Sequence, residues 1–76
     1  MSRRLPALTS RKVSRALERA GFKLHRVRGS HFFFIHPERP EVLVVVPHHG
    51  GDLRTGTLRS IIKQAGLTEE QFLALL

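Results

Sequence analysis

Apolar positions recur along this chain with two different periods. Val13, Ala16, Leu17 and Ala20 fall at i, i+3, i+4 and i+7, one stripe of a helix. Arg11, Arg15 and Arg19 lie on the far side of that stripe. Thr9 or Ser10 can cap the helix, because a short hydroxyl side chain accepts from an orphan N–H of the first turn. Gly21 supplies a left-handed stop, and Phe22 can fold back on the helix end. Leu58, Ile61, Ile62 and Ala65 repeat the spacing and predict a second helix over 57–66, closed by Gly66. A third, short helix starts at Thr68. Gln71 completes a capping box with it, and Leu67 and Phe72 are placed for a hydrophobic staple. Leu73, Leu75 and Leu76 then need a surface to dock on, in this domain or on a partner.

The middle of the chain reads differently. "FKLHRVRGSHFFFIHP", residues 22–37, is a β-hairpin in which Gly29-Ser30 suits a two-residue turn with glycine first. That turn makes His31 the first residue of the returning strand, with Arg28 directly across from it and Arg26 paired with Phe33 on the same face. Alternation does not choose the core face, since both faces carry phenylalanine. "HPERPE", residues 36–41, turns the chain again, with Pro37 and Pro40 expected to block strand pairing there, before "VLVVV", residues 42–46. That run is β-branched and apolar throughout, as expected of a strand that is central or covered. "PHHGGDLRTGT", residues 47–57, is a loop. The order is α-β-β-β-α with a short extra C-terminal helix. It predicts an α+β two-layer sandwich, two helices on one face of an antiparallel sheet, with the other face or an edge left free. Residues 1–76 are expected to form one domain, with 1–8 as a loose N-terminal arm cut off by Pro6.

Composition narrows what such a fold can do. A chain of 76 residues buries only about 60% of its unfolded surface. A site on it should therefore be shallow, on a face or an edge. Lys and Arg number 13 against 6 Asp and Glu, a formal net charge of +7, and ten of the 13 are arginine. The guanidinium fork donates in pairs to phosphate oxygens, so this excess points to a polyanion, nucleic acid before an acidic protein. The absence of cysteine excludes a disulfide scaffold, a zinc ribbon and a thiol nucleophile. No run approaches the ~18 apolar residues of a membrane span. The expectation is a cytoplasmic protein without membrane contact.

The acids are Glu18, Glu38, Glu41, Asp52, Glu69 and Glu70, and no two are spaced for general acid–base work or a two-metal site. Neither a metal nor another cofactor is expected. RNA cleavage can proceed without one, because the 2′-OH is the nucleophile and the enzyme need only move protons and stabilise charge. Histidine moves protons near neutral pH, and Arg or Lys supplies the electrostatic part. "RVRGSH" puts His31 in such a setting, although a histidine at a strand end is more often a bystander. His25 reads as a rim residue and His36 as a strand-end cap. His48 and His49 adjoin a Gly-Gly loop that could cradle phosphate or be an ordinary connection. Adjacent histidines point apart in extended chain, so zinc is not expected there. Phe32, Phe33 and Phe34 cannot all face one side, and at least one is free to stack on a base or meet a partner. Arg11, Arg15 and Arg19 are either a phosphate-tracking stripe or a solvated helix face.

The chain also resembles the HicA (YcfA-like) toxin family, small ribonucleases of bacterial toxin–antitoxin pairs. The resemblance is carried by "ALERAGF" (16–22), "RGSHFFFIHP" (28–37), "VVVPHHG" (44–50) and "GTLRSIIKQAGLTEEQF" (56–72). It implies a double-stranded-RNA-binding-like α-β-β-β-α fold and a ribosome-independent mRNA endonuclease. It implies that His31 is catalytic and that a HicB-type antitoxin covers it. Gly29 carries over as the turn that presents His31, and His49 matches the Pro-x-His of the family. Arg26, Arg28, Gly29, Ser30, His49 and Lys63 are the expected RNA-binding residues, the first two as phosphate contacts. The chain departs from the family at Arg54-Thr55, where relatives commonly have Pro-Lys, and in the extension over 1–8. A non-catalytic RNA-binding module and a pure protein-interaction domain remain the alternatives.

Overall fold

The computed structural model describes residues 5–76. Thr9, in extended backbone, accepts the Lys12 N–H at 3.2 Å and so starts α1, Ser10–Arg19. Ser10 has another task. It is buried, and its Oγ donates to the Pro47 carbonyl at 2.6 Å, fastening the start of the helix to the end of the third strand. At the far end Gly21 takes φ +98° and the Phe22 N–H reaches back to the Leu17 carbonyl. The glycine is needed twice over, because a Cβ there would stand 2.7 Å from His36 Nε2.

Three antiparallel strands follow in the order β1 (Lys23–Arg28), β2 (His31–His36), β3 (Arg39–Pro47). Gly29 has φ +59° and no non-glycine residue among the described ones has positive φ. That combination is a type II′ turn, since type I′ would require Ser30 to be left-handed as well. Arg28 pairs with His31 and Arg26 with Phe33, as the two-residue turn dictates. Beyond Arg26 the register shifts. Leu24 faces Phe34, and His25 is the extra residue of a bulge in β1.

β3 differs from its expected form. It starts at Arg39 and takes in Pro40, and it is an edge strand while β2 is central. An edge is where proline can enter a strand, because one row of N–H groups there has no ladder partner. The valine run answers to one covered face only: Val44 and Val46 are fully buried, whereas Leu43 is 46% exposed. Part of the free edge is closed by Gln64, whose Oε1 accepts the Val45 N–H at 3.3 Å.

α1, α2 (Thr55–Gln64) and the short α3 (Glu69–Leu73) complete the α-β-β-β-α arrangement with its extra C-terminal helix. Both halves of the Thr68–Gln71 capping box are present. Phe34, Val44 and Val46 meet Val13, Leu17, Leu58, Ile61, Ile62 and Phe72 in a single core, and Leu73 and Leu75 pack against it. Strand alternation then puts His31, Phe33 and Ile35, with their partners Pro47, Val45 and Leu43, on the opposite face. None of those six is buried. The sheet therefore has one covered and one open face.

Residues 5–8 are not a loose arm. Leu5 and Leu8 belong to the core, the Leu53 N–H donates to the Leu8 carbonyl at 2.8 Å, and Thr9 bridges Asp52. The two leucines on either side of Pro6 and Ala7 find an apolar seat that no local pattern announces. The rest of the expected arm, residues 1–4, lies outside the described residues.

Candidate active site

The turn places His31 at one end of the open face, exposed, with Arg28 directly opposite it on β1. Side chains of such a pair have Cβ atoms about 5 Å apart. Two residues along, Phe33 faces Arg26, whose guanidinium lies over the ring at 5.1 Å from the centroid. Four of the expected site residues are thus consecutive in space: Gly29 and Ser30 make the turn, and Arg28 and Arg26 line the face beside His31. Ser30 also anchors the turn to the third strand, its carbonyl accepting the His48 N–H at 2.6 Å.

The remaining two come from outside the hairpin. Lys63 is exposed in the last turn of α2, in the helix layer and so on the other side of the sheet from His31. His49 is exposed in the loop after β3, with Nδ1 2.9 Å from the Gly50 carbonyl. A carbonyl only accepts, so Nδ1 carries the proton in that contact.

His48 is the histidine that the fold turns inward. Its ring stacks on Phe32 with centroids 3.6 Å apart and planes 19° from parallel. Its Nε2 lies 3.1 Å from Ser14 Oγ on α1. Burial lowers its pKa from the ordinary 6.5, and the charge of Arg11 and then His49 lowers it further. Arg11, Ser14, Arg15, Glu18, Leu24 and Phe34 join Phe32 and His48 around a groove of about 350 Å³ on the helix side. The rule that neighbouring side chains point apart separates His48 from His49, but only the position of α1 decides which one packs. His36 is likewise a packing residue, edge-on to Phe22 at 5.2 Å, and its Nδ1 accepts the Glu38 N–H.

Carboxylates are few at either face: Glu18 borders the helix-side groove and Glu41 is exposed near the start of β3. The ion pair among the described residues is Arg59–Glu69 at 3.3 Å, remote in sequence from the hairpin. Among the described residues no three His, Asp or Glu side chains come together as metal ligands. No helix among them is long and apolar enough to cross a membrane. Near the turn the open face offers one accessible imidazole, two guanidiniums and an aromatic ring, with His25 exposed in the bulge farther along. That set can bind a phosphodiester and move a proton.

A family model described as the HicA toxin of bacterial toxin–antitoxin matches residues 10–67. The match runs from the first residue of α1 through Leu67 and takes in the whole sheet and the Gly29-Ser30-His31 turn. No curated protein matches the chain.

Proposed function

This chain belongs to the HicA toxin family and is the toxin of a toxin–antitoxin system; from that premise we propose that it is an mRNA endonuclease whose catalytic residue is His31. The observation that carries the reading is the pairing of His31 with Arg28 on an open, basic sheet face. A phosphodiester lying on that face is held by Arg28 and Arg26, whose donors stabilise the charge that grows on the phosphorane oxygens. His31 takes the proton of the 2′-OH, or gives one to the departing 5′-oxygen. The O2′–P bond forms, the P–O5′ bond breaks, and the second proton passes through another group. A water molecule or His49, from the loop after β3, can fill that second place, whereas Arg28 is a permanent cation and stays a phosphate contact. No metal ion enters the reaction.

Backbone contacts provide most of the affinity, so binding weakens steeply with salt. The partner antitoxin, of HicB type, inhibits by covering His31. The reading is tested by incubating a labelled mRNA with the wild type and with His31→Ala, both in EDTA. The expected result is cleavage by the wild type alone, with RNA binding and thermal melting of the mutant unchanged. Cutting by the mutant removes His31 from the chemistry, and binding without cutting by both makes the chain a non-catalytic RNA-binding module.

A further inference from the structure

Beside the proposed catalytic histidine the open face holds a shallow hollow. It has a volume of about 360 Å³ and is lined by His25, Arg26, Phe33, Ile35, Pro40, Glu41 and Leu43. We infer that this hollow is a nucleobase subsite: it takes an unstacked base of single-stranded RNA next to the phosphodiester that His31 faces, with the base lying on the Phe33–Arg26 stack.

Three observations converge on that assignment. The first is position. Phe33 follows His31 by two residues on the same strand, so both side chains stand on one face about 7 Å apart. The second is chemistry. Of the three consecutive phenylalanines, Phe34 is buried in the core and Phe32 is stacked on His48, which leaves Phe33 on the open side. Its ring is already paired with a guanidinium, and both planes are surfaces on which bases stack. The third is the bulge. Leu24 pairs with Phe34 and Arg26 with Phe33, so His25 is inserted between them and borders the hollow. Bulges re-aim side chains at sites of this kind. Glu41 adds a carboxylate, an acceptor for base N–H groups, whereas the Arg26 guanidinium suits phosphate.

A duplex does not fit this description. Its bases are stacked on one another, and its deep groove hides their edges. The subsite therefore restricts the substrate to single-stranded segments. It rests on the ribonuclease reading for the direction of the strand past His31, but not for the base contact itself.

The test uses the full chain carrying His31→Ala, so that nothing is cut. The probe is a single-stranded RNA twelve-mer with one 2-aminopurine, compared with the same strand fully paired to its complement. Two measurements are made: affinity, and fluorescence of the 2-aminopurine. Phe33→Leu in this background keeps an apolar side chain and removes the aromatic plane. It is expected to weaken single-strand binding roughly 5- to 100-fold, the range of one lost base stack, and to abolish the 2-aminopurine quenching. Duplex binding is expected to be weaker and indifferent to Phe33→Leu. Glu41→Gln and His25→Ala, both at exposed positions, read the same hollow if Phe33→Leu melts. Each is expected to weaken binding of the single strand without changing that of the duplex.

Unchanged single-strand binding and quenching in a folded Phe33→Leu protein, or a preference for the duplex, overturns the subsite. Loss of antitoxin binding with RNA binding intact overturns it too, since the hollow then serves a protein. Failure of the ribonuclease reading looks different. In that case the wild type cuts nothing while the His31→Ala protein still binds the single strand in a Phe33-dependent way. Conversely, a cutting enzyme whose KM is untouched by Phe33→Leu keeps the reading and loses the subsite.

Discussion

His31 and His48 stand at the same end of the sheet, one at the start of β2 and the other just past the end of β3. The Ser30 carbonyl next to His31 accepts the His48 N–H. Yet the two imidazoles live in different surroundings. His31 is on the open face, exposed and opposite Arg28. His48 is on the helix side, flat against Phe32, within hydrogen-bond distance of Ser14, its pKa lowered by burial and by Arg11. One histidine is available to a ligand and the other is part of the packing between α1 and the sheet. The pleat creates the difference, because side chains a residue apart go to opposite faces and only one face has helices on it.

That contrast can be broken at several places. The largest effect is expected from His31→Ala. RNA cleavage should fall by roughly 10²–10⁴-fold while the melting temperature holds, measured by gel assay and calorimetry on one preparation. A comparable loss in His48→Ala with a normal melting curve would erase the distinction between the two residues. Next come the neighbouring phenylalanines. Phe34→Ala leaves a hole in the core and should cost about 3–5 kcal/mol in urea unfolding. Phe33→Ala, on the open face, should cost only about 1–2 kcal/mol. Equal losses would mean that the open face is covered in solution.

Gly29→Ala tests the turn that presents His31. No atom lies within 4 Å of a Cβ at that position, so only the φ of +59° resists it. The expected cost is about 1–3 kcal/mol, with cleavage reduced through KM or kcat as the turn relaxes. The smallest effect concerns pH. His48 has a folded pKa below its ordinary 6.5, so between those two values the unfolded chain binds a proton that the folded chain does not. The stability attached to His48 is therefore complete above pH 6.5 and declines as the pH falls toward the folded pKa. Melting temperatures from pH 7.5 to 5 should drop less in His48→Gln than in the wild type. Identical slopes would show that His48 titrates freely and is not packed.

Much of this architecture is local and is written in short spacings. The i, i+3, i+4 stripes, the Thr68–Gln71 box, the Gly21 stop and the Gly29-Ser30 turn each involve residues within one turn of chain. Their residue types and offsets can be read without the rest of the molecule. The register that sets Arg28 against His31 follows from the turn alone. The proposal that His31 is catalytic draws its weight from the family resemblance, since an imidazole at a strand end has many uses. Assembly decided the rest. Which phenylalanine would be buried, whether β3 would be an edge, where Leu5 and Leu8 would go, and which of two adjacent histidines would turn inward all depend on distant partners. Ser14 meets His48 and Ser10 meets Pro47 across separations of 34 and 37 residues. Periodicity can say that a side chain belongs to one face of an element. It cannot say what lies opposite that face, because that is settled when the layers pack and the apolar surface they share leaves water.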